Sequence, residues 1–313
     1  MTGGAKVKKI ILYEQKSLYR DNLRVTGYRF GSGEKSLCIV GSIRGNEIQQ
    51  LYICSQLVKI FKELEEKDKI AKGKSIMIIP CVNSASLNIE KRFWPTDNTD
   101  INRMFPGYCY GETTQRIAAG LFEKIKDYTY GIQFTSFYMP GNFIPHVRMM
   151  KTGYENIEDA KVFGLPYVVL REPKPYDTTT LNYNWQVWET SAFSMYTSET
   201  DKIDKESAAL AIEAILRFVS KKKICKYKIH PGYLSEVIGV KNALKPVKTK
   251  KAGLVDCKVK VNQKVKKGEI LADIIDTYEG TVKYQIKAPK EGIIFYIYNK
   301  PIVYEDTAVF KML

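Results

Sequence analysis

Histidine is nearly absent from this chain: its 313 residues hold two, His146 and His230. Imidazole is the most frequent ligand of catalytic metals and the most frequent general base near neutral pH, so a site built on a cluster of histidines is excluded. Cysteine offers no substitute. The six cysteines (Cys38, Cys54, Cys81, Cys109, Cys225 and Cys257) include no Cys-x-x-Cys pair, and several sit inside apolar runs, as buried free thiols of a reducing compartment do. No stretch reaches the roughly 20 uninterrupted apolar residues that cross a bilayer. Residues 1 to 20 lack the apolar block and small-residue cleavage site of a secretion signal. The expectation is a soluble, cytoplasmic protein that makes no membrane contact.

Positive charge is in excess. The 49 Lys+Arg against 34 Asp+Glu give a formal charge of +15, which favours anionic ligands and surfaces at long range. The lysines are spread over the whole chain, in runs at 6–9, 221–223, 245–251 and 258–267, with no nucleic-acid fold signature among them. A solvated basic surface accounts for them, and nucleic acid is not the expected partner despite the charge.

A chain of this length with 44% hydrophobic content can bury two cores. Residues 37–43 form a short apolar run that breaks at glycine, as a buried strand does at its carboxyl end. Helical spacing follows from Ile48 through Leu51, Cys54, Leu57, Val58, Phe61 and Leu64. Residues 75–82 read as a second strand, 112–127 as a helix capped by Thr113 or Thr114, and 132–137 as a third strand. The alternation resumes at 167–170, 192–196 and 207–219. It predicts a mostly parallel sheet flanked by helices over residues 1–225, with any site at the carboxyl ends of the strands. From Gly232 onward the glycines are frequent and no segment has a helical period, so residues 226–313 are expected to be all-β.

Two runs carry the chemistry. The turn Gly41-Ser42-Ile43-Arg44-Gly45-Asn46-Glu47 precedes the first helix, and Asp100-Ile101-Asn102-Arg103-Met104-Phe105-Pro106-Gly107 lies downstream. In this spacing the chain resembles the succinylglutamate desuccinylase and aspartoacylase family, relatives of the zinc carboxypeptidases, over nearly its whole length. The resemblance implies a zinc carboxypeptidase-like α/β fold. It also implies that a Gly-x-His-Gly-Asp/Asn-Glu turn supplies two zinc ligands, that a separate glutamate acts as base, and that Asn102 and Arg103 grip a carboxylate. The tail, with Val259 to Leu271 followed by Ile286 to Ile294, resembles the barrel-sandwich hybrid of biotinyl and lipoyl carriers. Its hairpin tip places Glu279 where a carrier lysine belongs, so the tail is read as a wall or lid.

Against that pattern the first ligand position holds Arg44, and Glu47 is the only matching ligand. The second histidine position falls on Thr135, in Ile132-Gln133-Phe134-Thr135-Ser136, and the base position falls on Tyr196, which closes residues 192–196. Arginine has no lone pair for a cation, so Arg44 is expected to pair with Glu47 where zinc would sit. No metal or other cofactor is expected, and zinc only if the family's activity is kept. Arg92 adds a second cation beside Arg44 and Arg103, and the segments at 137–148, including His146 and Arg148, and at 181–189 are expected to line the pocket. Glu189 and Tyr196 are the candidate catalytic groups.

Three functions stay open. The first is binding of a carboxylate-bearing small molecule, an N-acyl amino acid or a peptide C-terminus, without zinc-dependent hydrolysis. The second is a metal-dependent amide hydrolase with relocated ligands such as Glu47, His146 and Glu189. The third is a basic adaptor for nucleic acid or an acidic partner.

Overall fold

The computed structural model describes residues 7–240 and 244–313; the first residues of the chain, including Lys6 of the amino-terminal lysine run, lie outside them. The main body is a nine-stranded sheet. Its strands are β1 (Lys8–Gln15), β2 (Leu23–Gly31), β3 (Glu34–Ser42), β4 (Lys74–Cys81), β5 (Tyr130–Phe134), β7 (His146–Met150), β8 (Tyr167–Arg171), β9 (Ser191–Tyr196) and β10 (Glu236–Ile238), and their spatial order is β1-β2-β4-β3-β5-β9-β7-β8-β10. The short β6 (Gly141–Phe143) lies outside this sheet. The centre, β4-β3-β5-β9, is parallel, while β1, β2 and the β7-β9 junction are antiparallel.

Both faces of the central strands are covered, which is why they read as continuous apolar runs. One core joins Leu37, Ile39, Ile76, Ile78 and Phe193 to α1 (Ile48–Glu66) and α6 (Lys205–Lys221) through Leu57, Phe61, Ile215 and Phe218. The other face packs Cys38, Val40 and Ile79 against α3 (Thr113–Ile125) and the buried Trp185 of α5 (Leu181–Val187). Three short elements, α2 (Ser84–Leu87), α4 (Ile157–Lys161) and a 3-10 turn at Ile101–Arg103, fill the connections. The α3 cap differs from expectation: the helix begins at Thr113, its cap is Glu112, and the Glu112 N–H donates to the Gln115 side chain at 3.0 Å. Cys109 and Cys257 are exposed, unlike the buried thiols expected, whereas Cys38, Cys54 and Cys225 are buried.

Beyond the central domain the chain first adds β10 to the large sheet beside β8. It then builds two antiparallel sheets from β11 (Lys245–Lys248), β12 (Gly253–Cys257), β13 (Lys264–Val265), β14 (Ile270–Ile275), β15 (Val282–Lys287), β16 (Gly292–Tyr298), β17 (Ile302–Val303) and β18 (Ala308–Met312). β6 pairs with β16, so a strand from the α/β part completes one tail sheet. Lys283 lies on β15 with its Nζ 3.0 Å from Asp276, set back from the 276–281 turn. No helix among the described residues is long and apolar enough to cross a membrane.

Candidate functional site

The carboxyl ends of β3, β5 and β9 converge on one cavity of about 450 Å³. Its lining includes Arg44, Arg92, Asn102, Arg103, Thr135, Arg148 and Tyr196, seven of the positions expected from the sequence. Gln133, Ser194 and Arg148 form a row across three adjacent strands, since Gln133 pairs with Ser194 and Ser194 with Arg148. The tail contributes Lys311 of β18 to the wall.

Arg44 is held at the mouth of α1 by a turn that only glycine allows. A Cβ on Gly45 would stand 2.2 Å from the Ser86 carbonyl carbon, so the turn is pressed against the α2 backbone. From there the buried guanidinium makes two ion pairs. Its Nη1 donates to Glu47 Oε1 at 3.2 Å, while Nε and Nη2 donate to the Asp100 carboxylate at 3.0 and 2.9 Å. Burial disfavours the charge, but Asp100 and Glu47 outweigh it and raise the Arg44 pKa further.

Glu47 is fully engaged in this network. One carboxylate oxygen accepts the Ile43 and Arg44 backbone N–H groups at 2.9 and 3.1 Å, and the other takes Arg44 and the Ser136 hydroxyl. The Ser136 oxygen in turn accepts from Arg92 at 3.2 Å. Ser136, one residue beyond Thr135, is therefore the side chain that meets Glu47. Thr135 turns its hydroxyl to the Gln133 carbonyl at 3.2 Å.

These residues do not fit zinc. A catalytic zinc takes three neutral-imidazole, thiolate or carboxylate ligands and leaves one position open. Here a guanidinium stands in the first ligand position, the one carboxylate is saturated by donors, and a serine hydroxyl occupies the remaining side. Among the described residues no group of three or more His, Cys, Asp and Glu side chains is placed to hold a metal ion.

Asn102 and Arg103 reach the cavity on the 3-10 turn that Asp100 caps through the Asn102 N–H at 3.0 Å. The turn is backed by Gly107, which has φ +97° and at which an added Cβ would stand 2.1 Å from the Ala119 nitrogen, so a side chain is excluded. Asn102 Oδ1 accepts from Gln133 Nε2 at 3.1 Å and from the Leu181 N–H at 3.3 Å, so its amide nitrogen is the end left for a ligand. Arg103, one-third exposed, donates to the Tyr176 carbonyl at 2.5 Å and lies 3.4 Å from Asp177. Arg171 holds the same Asp177 carboxylate at 2.6 Å. Burial opposes the Asp177 charge, but the hydrogen bonds from Arg171, the Lys174 N–H and Arg103, with the Arg171 charge, together outweigh it and keep its pKa below the ordinary range.

Two expected site residues fall elsewhere. His146 is buried among Phe143, Tyr196 and Phe295 with Nδ1 2.8 Å from the Ile144 carbonyl, and it does not line the cavity. Burial drives its pKa down to about 3, so the ring is neutral. Glu189 is exposed at φ +65°, in the turn before β9. That turn feeds the amino end of the strand whose carboxyl end carries Tyr196, so Glu189 and Tyr196 lie roughly 20 Å apart along it. A metal site of Glu47, His146 and Glu189 cannot assemble. Tyr196 lines the cavity with the Arg148 guanidinium 4.1 Å from its ring centroid.

Sequence reasoning missed Asp100 as the partner of Arg44, Ser136 as the partner of Glu47, and the contributions of Arg171, Asp177 and Lys311. Asp100 lay inside the quoted motif and could have been read as an acid facing Arg44. Arg171 and Lys311 carry no local signal, because only the tertiary fold brings β8 and β18 to this cavity.

Residues 33–191 match the succinylglutamate desuccinylase/aspartoacylase catalytic domain. The chain belongs to that family. It is 20% identical to the N-alpha-acetyl-L-2,4-diaminobutyric acid deacetylase of Halomonas elongata, with 86% of this chain and 79% of the relative aligned. The fold is similar to that of a succinylglutamate desuccinylase from Silicibacter sp. TM1040, with a TM-score of 0.80 at 14% identity, covering 97% of this chain and 92% of the other. It is also similar to the product-bound ectoine utilization protein EutE (DoeB) from Ruegeria pomeroyi, with a TM-score of 0.77 at 15% identity, covering 98% and 93%. The similarity to these structures includes the tail.

Proposed function

We propose that this family member binds a carboxylate-bearing small molecule, an N-acyl amino acid or a peptide C-terminus, and does not carry out zinc-dependent hydrolysis. The observation that carries this reading is the placement of the Arg44 guanidinium between Glu47 and Asp100. It puts a permanent cation where a metal-ligating histidine belongs. The carboxylate would be received by Asn102 Nδ2 and by the free guanidinium edges of Arg103 and Arg92, because a planar fork makes parallel bonds to a carboxylate. The deacetylase relative acts, by its name, on an N-acetylated amino acid, which suits an acylated amino acid as the ligand here.

The test is elemental analysis of tag-free protein together with calorimetric titration of N-acetylglycine. Zinc well below one atom per chain with saturable binding supports the reading. About one zinc per chain, retained after dialysis, overturns it. An Arg44→His, Thr135→His double variant reports whether the vacated geometry regains metal.

A further inference from the structure

The cavity has a second half that the Asn102 and Arg103 reading does not use. Arg148 on β7 and Arg171 on β8 lie on the same face of two parallel strands, because Arg148 pairs with Val169 and Met150 with Arg171. Lys311 reaches the same cavity from the tail, with its Nζ 3.9 Å from the Phe137 ring centroid. Among the described residues neither Arg148 nor Lys311 has a carboxylate within 4.0 Å, and Asp177 is shared by Arg171 and Arg103. Four cations thus share one buried acid, and the other carboxylate in the lining, Glu172, is exposed and lies 3.4 Å from Lys151.

Two of these cations, Arg148 and Lys311, register the imbalance. Burial and then Arg171 push the Arg148 pKa down to about 9, and since an arginine stays protonated this marks a charge without a counter-ion. Burial, Arg148 and Arg171 together lower Lys311 to about 8. A single carboxylate leaves most of this charge uncompensated. A dianion compensates it, and two guanidinium groups and an ammonium lining one cavity suit oxygens arranged as a tetrahedron.

We propose that Arg148, Arg171 and Lys311 form a subsite for a doubly charged tetrahedral oxyanion, so that the ligand carries a phosphoryl group as well as a carboxylate. The inference rests on the carboxylate reading for the other end of the ligand. The tail is then part of the binding site, since Lys311 closes the phosphoryl end.

Calorimetry on the whole chain tests both ends separately, with inorganic phosphate, N-acetylglycine, and phosphonoacetate, 3-phosphonopropionate and 4-phosphonobutyrate as probes. Phosphate is expected to bind about tenfold or more tighter than acetate, and the best phosphonocarboxylate about tenfold tighter than phosphate. Lys311→Met and Arg148→Met should each weaken phosphate about tenfold and leave N-acetylglycine within about threefold, while Arg148→Lys, which keeps the charge, should cost phosphate less than Arg148→Met. Phosphate binding no tighter than acetate, or equal loss of both probes in the variants, overturns the subsite. If N-acetylglycine fails to bind while phosphate behaves as described, the carboxylate reading falls and the phosphoryl subsite stands. The reverse result sinks the phosphoryl subsite alone.

Discussion

Arg44 and Asp100 are locked face to face, with Nε 3.0 Å from one carboxylate oxygen and Nη2 2.9 Å from the other. Asp100 also caps the turn that carries Asn102 and Arg103. The arginine therefore also helps set the position of the turn that carries Asn102 and Arg103. Removing one partner of a buried ion pair strands the other in a low dielectric and costs about 3–5 kcal/mol. Arg44→Met should lower stability by that order in urea unfolding, since it leaves both Glu47 and Asp100 without their cation. A triple variant that adds Glu47→Gln and Asp100→Asn should be more stable than the single one. If the triple variant is the weaker, the ion pairs are not what holds this region.

Asn102 works in the fold and in the site at once. Asn102→Ala would leave the buried Gln133 Nε2 and the Leu181 N–H without their acceptor, a loss of about 1–3 kcal/mol. Asn102→Asp keeps an oxygen for both donors and places a negative charge where the ligand's carboxylate should lie. It should hold most of the stability and lose about tenfold or more in N-acetylglycine affinity. Parallel melting and titration of the two variants separates the roles.

The central elements were legible because periodicity and burial agree there. The runs at 37–43 and 75–82 fall on β3 and β4, each passing the strand end by one residue, and the helical stripe from Ile48 to Leu64 is α1. β1 and β2 were not seen, since at the sheet edge their burial is interrupted and competes with charge. β10 has three residues, too few for any pattern, and it gains its place only by pairing with β8. Within the site, Arg44, Asn102 and Arg103 were readable because the turns that hold them are local in sequence. Glu189 misled because closeness in sequence to β9 says nothing about which end of the strand a residue occupies.

His146 makes acid stability a sensitive readout of the packing under Tyr196. Its native pKa of about 3 lies below the roughly 6.5 of the unfolded chain. Between those values the unfolded state binds the proton and the native state does not, so stability falls as pH drops from about 6.5 toward 3. Over two pH units in this window the imidazole accounts for about 2–3 kcal/mol. His146→Phe keeps a ring against Tyr196 and removes the titration. Its urea midpoint should change less than the parent's between pH 6.5 and 4.5, and identical slopes would place the acid sensitivity elsewhere.

Lys311 predicts the complementary behaviour in alkali. Its pKa near 8 sits below the unfolded value of about 10.4, so the unfolded chain holds the proton more tightly between the two. Stability should therefore rise with pH across about 8 to 10.4 and stay at its lower level below about 8. Partial exposure screens the effect and the contact with the Phe137 ring offsets some of it, leaving about 1 kcal/mol. Lys311→Met should flatten this rise in unfolding experiments at low salt. Saturating phosphate should do the same in the parent protein, because a bound dianion restores the charge of the lysine and moves its pKa back up. A parent curve already flat over that range would mean that the ammonium is compensated in the free protein, against a surplus of cations around Arg148.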